Sequence, residues 1–281
     1  MYISQEIFYD KGTDSYIDGI EAFSLEQERA AGQTDRVTEE YVTQLVGKIQ
    51  DYGMDMESDD AYREIIRPLG DIYYVVARNY ADMRSDRIDE NALMDIELTE
   101  GADFYGYRMG KIRDYLDMDF SYGNYKEAEK QYWIRKAGEV SVPFRWGSKA
   151  VMNVVKDTVS IGVYLWFVIV ICASSVFASE HESGAALLLL TTKYGKDRLI
   201  RSKIGVMTLF TLGYLSTGIL LAVGVTGLLL GFPGADLPVQ LYNSVIPYKL
   251  TIGQMCACTF GIILLLGIAI GFLVLCCSAR L

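Results

Sequence analysis

Histidine, cysteine and proline are scarce in this chain, with one, five and five among 281 residues. All five cysteines (Cys172, Cys256, Cys258, Cys276 and Cys277) come late, so the acidic first part contains no disulfide framework and no thiolate pair for a metal. Cys256 and Cys258 stand one residue apart in an apolar run and read as small packing residues. The single histidine, His181, lies between Glu180 and Glu182 without the second imidazole of a helical zinc motif, so it reads as surface. No GxxxxGK[ST] phosphate loop occurs, which excludes an ATPase site of that kind within the chain. Basic residues are in deficit over the first part: residues 1–158 hold 32 Asp and Glu against 19 Lys and Arg, a net charge of −13, whereas the remainder holds 4 against 7, a net +3. That balance excludes nucleic acid or an anionic lipid surface as the partner of the first part, because phosphate binding needs clustered cations.

Charge of either sign is missing from three long stretches. Residues 159–178 (VSIGVYLWFVIVICASSVFA) are uncharged for twenty residues, enough at about 1.5 Å per residue to cross roughly 30 Å of hydrocarbon. Residues 205–231 and 251–277 are likewise uncharged and long enough to span with some tilt. The segment between the first two runs holds Lys193, Lys196, Arg198, Arg201 and Lys203, while the segment between the last two has Lys249 as its one cation. The positive-inside bias therefore assigns residues 179–204 to the cytoplasm and residues 1–150 to the outside of the cell membrane. The start MYISQEIFYD has neither the basic opening nor the apolar core of a signal peptide. Export of the outer domain thus leads to the expectation that a further membrane helix precedes this sequence in the full protein. The end at Ser278-Ala-Arg-Leu281, directly after a span, gives the same expectation for further helices behind.

Within residues 1–150, apolar side chains recur at helical spacing. Val37, Tyr41, Val42, Leu45, Ile49 and Tyr52 share a face, with Asp35, Glu39 and Glu40 where the helix dipole favours acids. Tyr105, Met109, Ile112 and Leu116 repeat the pattern, as do Tyr125, Ala128, Tyr132 and Trp133. Asp60 is a candidate cap for a segment that Pro68 and Gly70 interrupt before Ile72 to Met83 resumes. Asp117, Asp119 and Ser121 resemble the start of a calcium loop, but the glycine falls at 123 and Ala128 stands where a bidentate Glu is required. Arg145, Trp146, Lys149 and Lys156 read as interfacial anchors before the first span. The expected fold class is all-α: a polytopic α-helical membrane protein with an acidic, mostly helical extracytoplasmic domain over residues 1–150 and a transmembrane domain over residues 151–281.

The most informative stretch is Phe177-Ala-Ser-Glu180-His181-Glu182-Ser-Gly184-Ala-Ala-Leu-Leu188-Leu189-Leu190-Thr191-Thr192-Lys193-Tyr194-Gly195-Lys196-Asp197-Arg198-Leu-Ile-Arg201-Ser-Lys203. Acids end the first span, a short apolar run follows Gly184, and a basic tract leads into the second span. This order predicts an amphipathic helix at the inner surface, acids at its N-terminus and cations beyond its C-terminus. The segment resembles the cytoplasmic coupling region of permease subunits of type-two ATP-binding-cassette transporters. Glu180, Gly184, Leu188, Leu189, Leu190, Thr191, Thr192, Gly195, Arg198 and Lys203 fit that pattern, with Glu182 in the acidic turn. Ala185 departs from it where Thr is common, and Lys196 where Arg is common. The resemblance, which covers residues 145–281, implies a membrane subunit with no cofactor of its own. The inner helix it implies sits on a separate ABC ATPase subunit that binds the ATP, with membrane lipid and a second permease copy as further expected partners.

Two other classes compete with this reading. A membrane-anchored sensor would bind a ligand through its outer domain but needs a cytoplasmic output domain. An intramembrane protease needs ionisable groups within the spans, where they are costly and kept for function, and the three runs have none. An apolar path punctuated by residues such as Ser160, Ser174, Thr211, Ser216 and Gln254 suits amphipathic molecules better than bare ions.

Overall fold

The computed structural model describes residues 7–10, 12–13, 15–53, 55–81, 90–121, 123–182, 184 and 195–278. The chain forms two compact units, one of residues 1–152 with 233–253 and one of residues 153–232 with 254–281. The segment 233–253, which the sequence marks as the loop between two spans, thus belongs with the acidic first unit.

The first unit is mostly helical. A hairpin of β1 (Ile7–Asp10) and β2 (Ser15–Asp18) pairs antiparallel, with Phe8 opposite Ile17 and Tyr9 opposite Tyr16. It leads into α1 (Gly19–Gln33), and a two-residue strand β3 (Arg36–Val37) pairs with β4 (Phe144–Arg145). These two short pairs depart from an all-α architecture. The hairpin is fixed by cations over its rings: Arg29 lies over Phe8, and Arg67 over Tyr9 and Tyr16. Such contacts link residues far apart in sequence and leave no period-two signal.

Helix α2 (Glu39–Tyr52) starts at Thr38, whose hydroxyl accepts the Tyr41 amide, and ends at Gly53 in the left-handed conformation. It buries Val42, Leu45 and Ile49 of the expected face and adds Val46, while Tyr52, placed on that face by spacing, is 47% exposed at the helix end. Next come α3 (Asp59–Ala61), a π-turn (Tyr62–Ile66) and α4 (Arg67–Leu69). Ser58 caps α3 by accepting the Ala61 amide, not Asp60, which lies inside the helix. Pro68 directly follows the π-turn within one continuous helical run, where it can donate no backbone bond. The break falls at Gly70, whose φ of 61° and ψ of −136° open α5 (Asp71–Tyr80).

Helix α6 (Phe104–Asp117) has no cap of its own, because Asp103 adopts a left-handed φ of 42° and makes no capping bond. Glu39 of α2 supplies one instead: its two carboxylate oxygens accept the Phe104 and Tyr105 amides, each at 2.7 Å. Helix α7 (Glu127–Gly138) begins at Lys126, whose backbone amide is accepted by Glu129. Its inward face is Trp133, Ile134 and Ala137 against Ile112 and Leu116 of α6. Tyr132, placed on the apolar face by spacing, is instead 42% exposed.

Three of the four expected interfacial anchors serve the first unit. Arg145 pairs with Asp236 at 2.5 Å, Trp146 is buried and donates to Gln33 at 3.2 Å, and Lys149 is buried and donates to the Leu241 carbonyl at 3.2 Å. Arg145 and Lys149 tie 233–253 to the end of the acidic domain and Trp146 ties that end to α1, so their amphipathic chemistry is used within protein.

The second unit consists of helices α8 (Ala150–Ile161, entered from the first unit), α9 (Trp166–Glu182), α10 (Gly195–Leu230) and α11 (Ile252–Ser278). Among the described residues, three helical stretches are long and apolar enough to cross a membrane: Ala150–Val176, Arg198–Leu230 and Ile252–Ser278. The first begins before the uncharged run and carries Lys156 and Asp157, whose charged ends lie 3.5 Å apart. Residues 162–167 donate to carbonyls three residues back, a tightened turn between α8 and α9. The unit packs through Ile169, Ala173, Met207, Leu215 and Leu275, and through Val159, Ile219 and Ile263. Gly162 and Gly267 lie where chains approach closely, a Cβ at either coming within 2.6 Å of Ile219 or Leu215 respectively.

Candidate functional site

The segment that the sequence singles out runs from the end of α9 to the start of α10. Glu180 and Glu182 occupy the last turn of α9, and nothing is described of their side chains. Gly184 follows two residues after the helix with φ 68°, the left-handed geometry that ends helices and that glycine adopts without a steric penalty. Leu188, Leu189, Leu190, Thr191 and Thr192 lie outside the described residues, and with them the expected amphipathic helix. The helix resumes at Gly195, placing Arg198 exposed on the first turn of α10 and Lys203 one and a half turns later.

Lys203 is half-buried, and its Nζ donates to the Val176 carbonyl of α9 at 2.7 Å. A lysine from the start of one apolar helix thus ties down a backbone carbonyl near the end of another. A cavity of about 300 Å³ opens beside it, lined by Cys172, Val176, Ser202, Val206, Met207 and Phe210 as well as Lys203. Ser278 at the end of α11 donates to the Ser174 carbonyl at 2.8 Å. The three apolar helices are therefore cross-linked at the ends that flank the basic tract. Of the predicted site residues, the structure brings Lys203 into contact with α9 and leaves Arg198 on the surface.

A second feature escaped the sequence. In the first unit a cavity of about 390 Å³ lies between α6, α7 and residues 243–248. Tyr115, Tyr125, Trp133 and Tyr248 line it, with Ile112 and Leu116 as its apolar floor. Trp133 and Tyr248 meet edge to face, centroids 5.7 Å apart. Segment 243–248 has no regular structure, so its carbonyls need other donors. Arg108 of α6, buried to 2% exposure, donates to Ser244 at 2.5 Å, to Ile246 at 3.4 Å and to Ala137 of α7 at 3.3 Å. Gln240 donates to Ile246 at 3.0 Å and Tyr248 at 2.7 Å. Burial pulls the Arg108 pKa below its ordinary value, partly opposed by Tyr105. The signal available in sequence was the helical face ending in Ile112 and Leu116; nothing local marked residues 243–248 as its lid.

The calcium-like residues are engaged otherwise: Asp117 pairs with Lys130 at 2.5 Å, and Asp119 accepts from Asn124 at 2.7 Å. Among the described residues, no group of three or more His, Cys, Asp or Glu is placed to hold a metal ion. Comparison with known protein families, with curated proteins and with solved structures finds no match.

Proposed function

We propose that this chain is the membrane-spanning subunit of a transporter driven by a separate ATPase, with residues 179–204 as the surface on which that ATPase sits. The observation that carries this reading is the segment itself: acids at the end of α9, a left-handed Gly184, a leucine run, then cations at the start of α10. The Lys203 bond to Val176 supports it, because a push on the connecting segment would reach two apolar helices that are already joined.

Chain connectivity supports the orientation. The chain leaves the first unit at the start of the first apolar helix, returns after the second, and leaves again at the start of the third. If these helices span, all three crossings lie on one face of the membrane, opposite the face carrying Lys196, Arg198, Arg201 and Lys203. The positive-inside bias then makes the acidic unit extracytoplasmic.

The test is co-purification of the full-length protein with a co-expressed candidate ABC ATPase, from detergent-solubilised membranes. Wild type should retain the ATPase, while Glu180→Lys and Gly184→Trp should lose it at unchanged membrane levels. Absence of any ATPase from the wild-type sample would favour the alternative, a membrane-anchored sensor, for which the aromatic cavity of the outer unit speaks.

A further inference from the structure

We infer that the cavity between α6, α7 and residues 243–248 is a binding site for a small organic cation with an apolar body. The inference concerns the first unit alone and does not depend on the transport role.

Volume and lining come first. About 390 Å³ falls within the range of ordinary small-molecule sites, which are concave, largely apolar and provided with few polar groups. Four aromatic side chains, Tyr115, Tyr125, Trp133 and Tyr248, contribute to the wall, and no charged side chain does. An anion would therefore find no positive partner there, whereas ring faces attract a positive charge through their quadrupoles.

Charge at the rim and beyond agrees. Lys130 is paired with Asp117 and Lys136 with Glu139, and Lys249 also acts on Glu139, holding its pKa down together with Lys136. These three lysines thus face carboxylates, whereas Arg108, behind the lid and outside the wall, spends its donors on the Ser244, Ile246 and Ala137 carbonyls. Over the whole first unit acids outnumber bases 32 to 19, a net −13, and a field of that sign concentrates cations and repels anions.

The walls are also held in advance. Ile112 and Leu116 belong to the packed α6–α7 core, and Arg108 and Gln240 fix the backbone of the lid through four carbonyl bonds to Ser244, Ile246 and Tyr248. A site whose walls are already ordered loses little entropy on binding. The lid is part of the connection between α10 and α11, so a bound molecule contacts the segment that joins two apolar helices.

The experiment uses the full-length protein in lipid nanodiscs and equilibrium dialysis of three labelled probes: phenyltrimethylammonium, its uncharged isostere tert-butylbenzene, and benzoate. Empty nanodiscs give the lipid background. Phenyltrimethylammonium is expected to bind saturably at one site, at least about threefold tighter than tert-butylbenzene, with no benzoate binding. Tyr248→Ala, at a side chain already half exposed, should weaken the cation about tenfold. Trp133→Phe should retain most of the affinity, and Tyr52→Ala, on α2 away from the cavity, all of it. No saturable binding above the background, equal affinity for the uncharged isostere, or full affinity in Tyr248→Ala would each overturn the assignment.

Discussion

Arg108 donates through Nε to the carbonyl of Ser244 at 2.5 Å, joining α6 to a segment 136 residues away in the chain. The guanidinium is almost wholly buried, and its described acceptors are backbone carbonyls together with the Met109 sulfur. Arginine suits this position because its planar fork reaches several acceptors at once. Phe144 lies beneath it, 5.7 Å from ring centroid to guanidinium carbon.

Replacing Arg108 by methionine keeps much of the volume and removes every donor. The buried Ser244 carbonyl then loses its described partner, at a cost of about 1–3 kcal/mol if left unsatisfied, while the Ala137 carbonyl keeps the Val140 amide at 3.4 Å. Limited proteolysis should show new cleavage within residues 239–250 in Arg108→Met, with a lower thermal midpoint for the first unit. Arg108→Lys, which reaches fewer carbonyls, should fall between the two.

High pH should loosen the same unit. Tyr105 donates to Val37 at 2.6 Å while accepting the Phe144 amide at 2.7 Å, and Tyr80 donates to Ala102 at 2.6 Å. Burial raises both phenols above the ordinary 10.0, for Tyr80 with added repulsion from Glu39 and Asp103. In the unfolded chain they ionise near 10.0, whereas in the fold they stay neutral. Their contribution is therefore fully present below that pH and is lost as pH rises toward the folded values. Denaturant titrations should show wild type losing stability above pH 10.0. The double variant Tyr80→Phe/Tyr105→Phe should be weaker at neutral pH by about 1 kcal/mol per lost bond and less sensitive to alkali.

The second unit should respond to size at Gly162 and not at Gly213. A Cβ at 162 would come within 2.6 Å of Ile219 and 2.9 Å of the Val159 carbonyl, whereas one at 213 meets nothing within 4 Å. Overpacking of this kind costs about 1–3 kcal/mol. Gly162→Val should lower the detergent-solubilised melting temperature, and Gly213→Ala should leave it unchanged. Equal behaviour of the two variants would refute close packing of α8 and α9 against α10 at this point.

Periodicity and hydropathy exposed what local sequence controls. The buried face of α2 and the three apolar helices follow from side-chain spacing and the absence of charge, each within a single stretch of chain. The hidden parts depend on partners distant in sequence. Glu39 caps a helix 65 residues ahead, Arg67 lies over the rings of a hairpin near the N-terminus, and Arg108 holds segment 243–248. Trp146 and Lys149 illustrate the same limit, since chemistry suited to a membrane interface is equally suited to a buried contact with Gln33 or Leu241. Of the candidate coupling site, the acids, Gly184 and the basic tract were legible as a pattern, while the bond from Lys203 to Val176 required the fold.

The most direct test of the transport account is site-specific photo-crosslinking in intact membranes, with a photoreactive residue at Leu189 and, as reference, at Leu228. Leu228 is 88% exposed on the apolar surface of α10, where the account predicts lipid. An ATPase subunit captured from Leu189 and absent from Leu228 is the predicted result. A Leu189 probe that captures no ATPase, or that is labelled by a membrane-impermeant reagent added outside the cell, would contradict the assignment of residues 179–204 as the coupling surface.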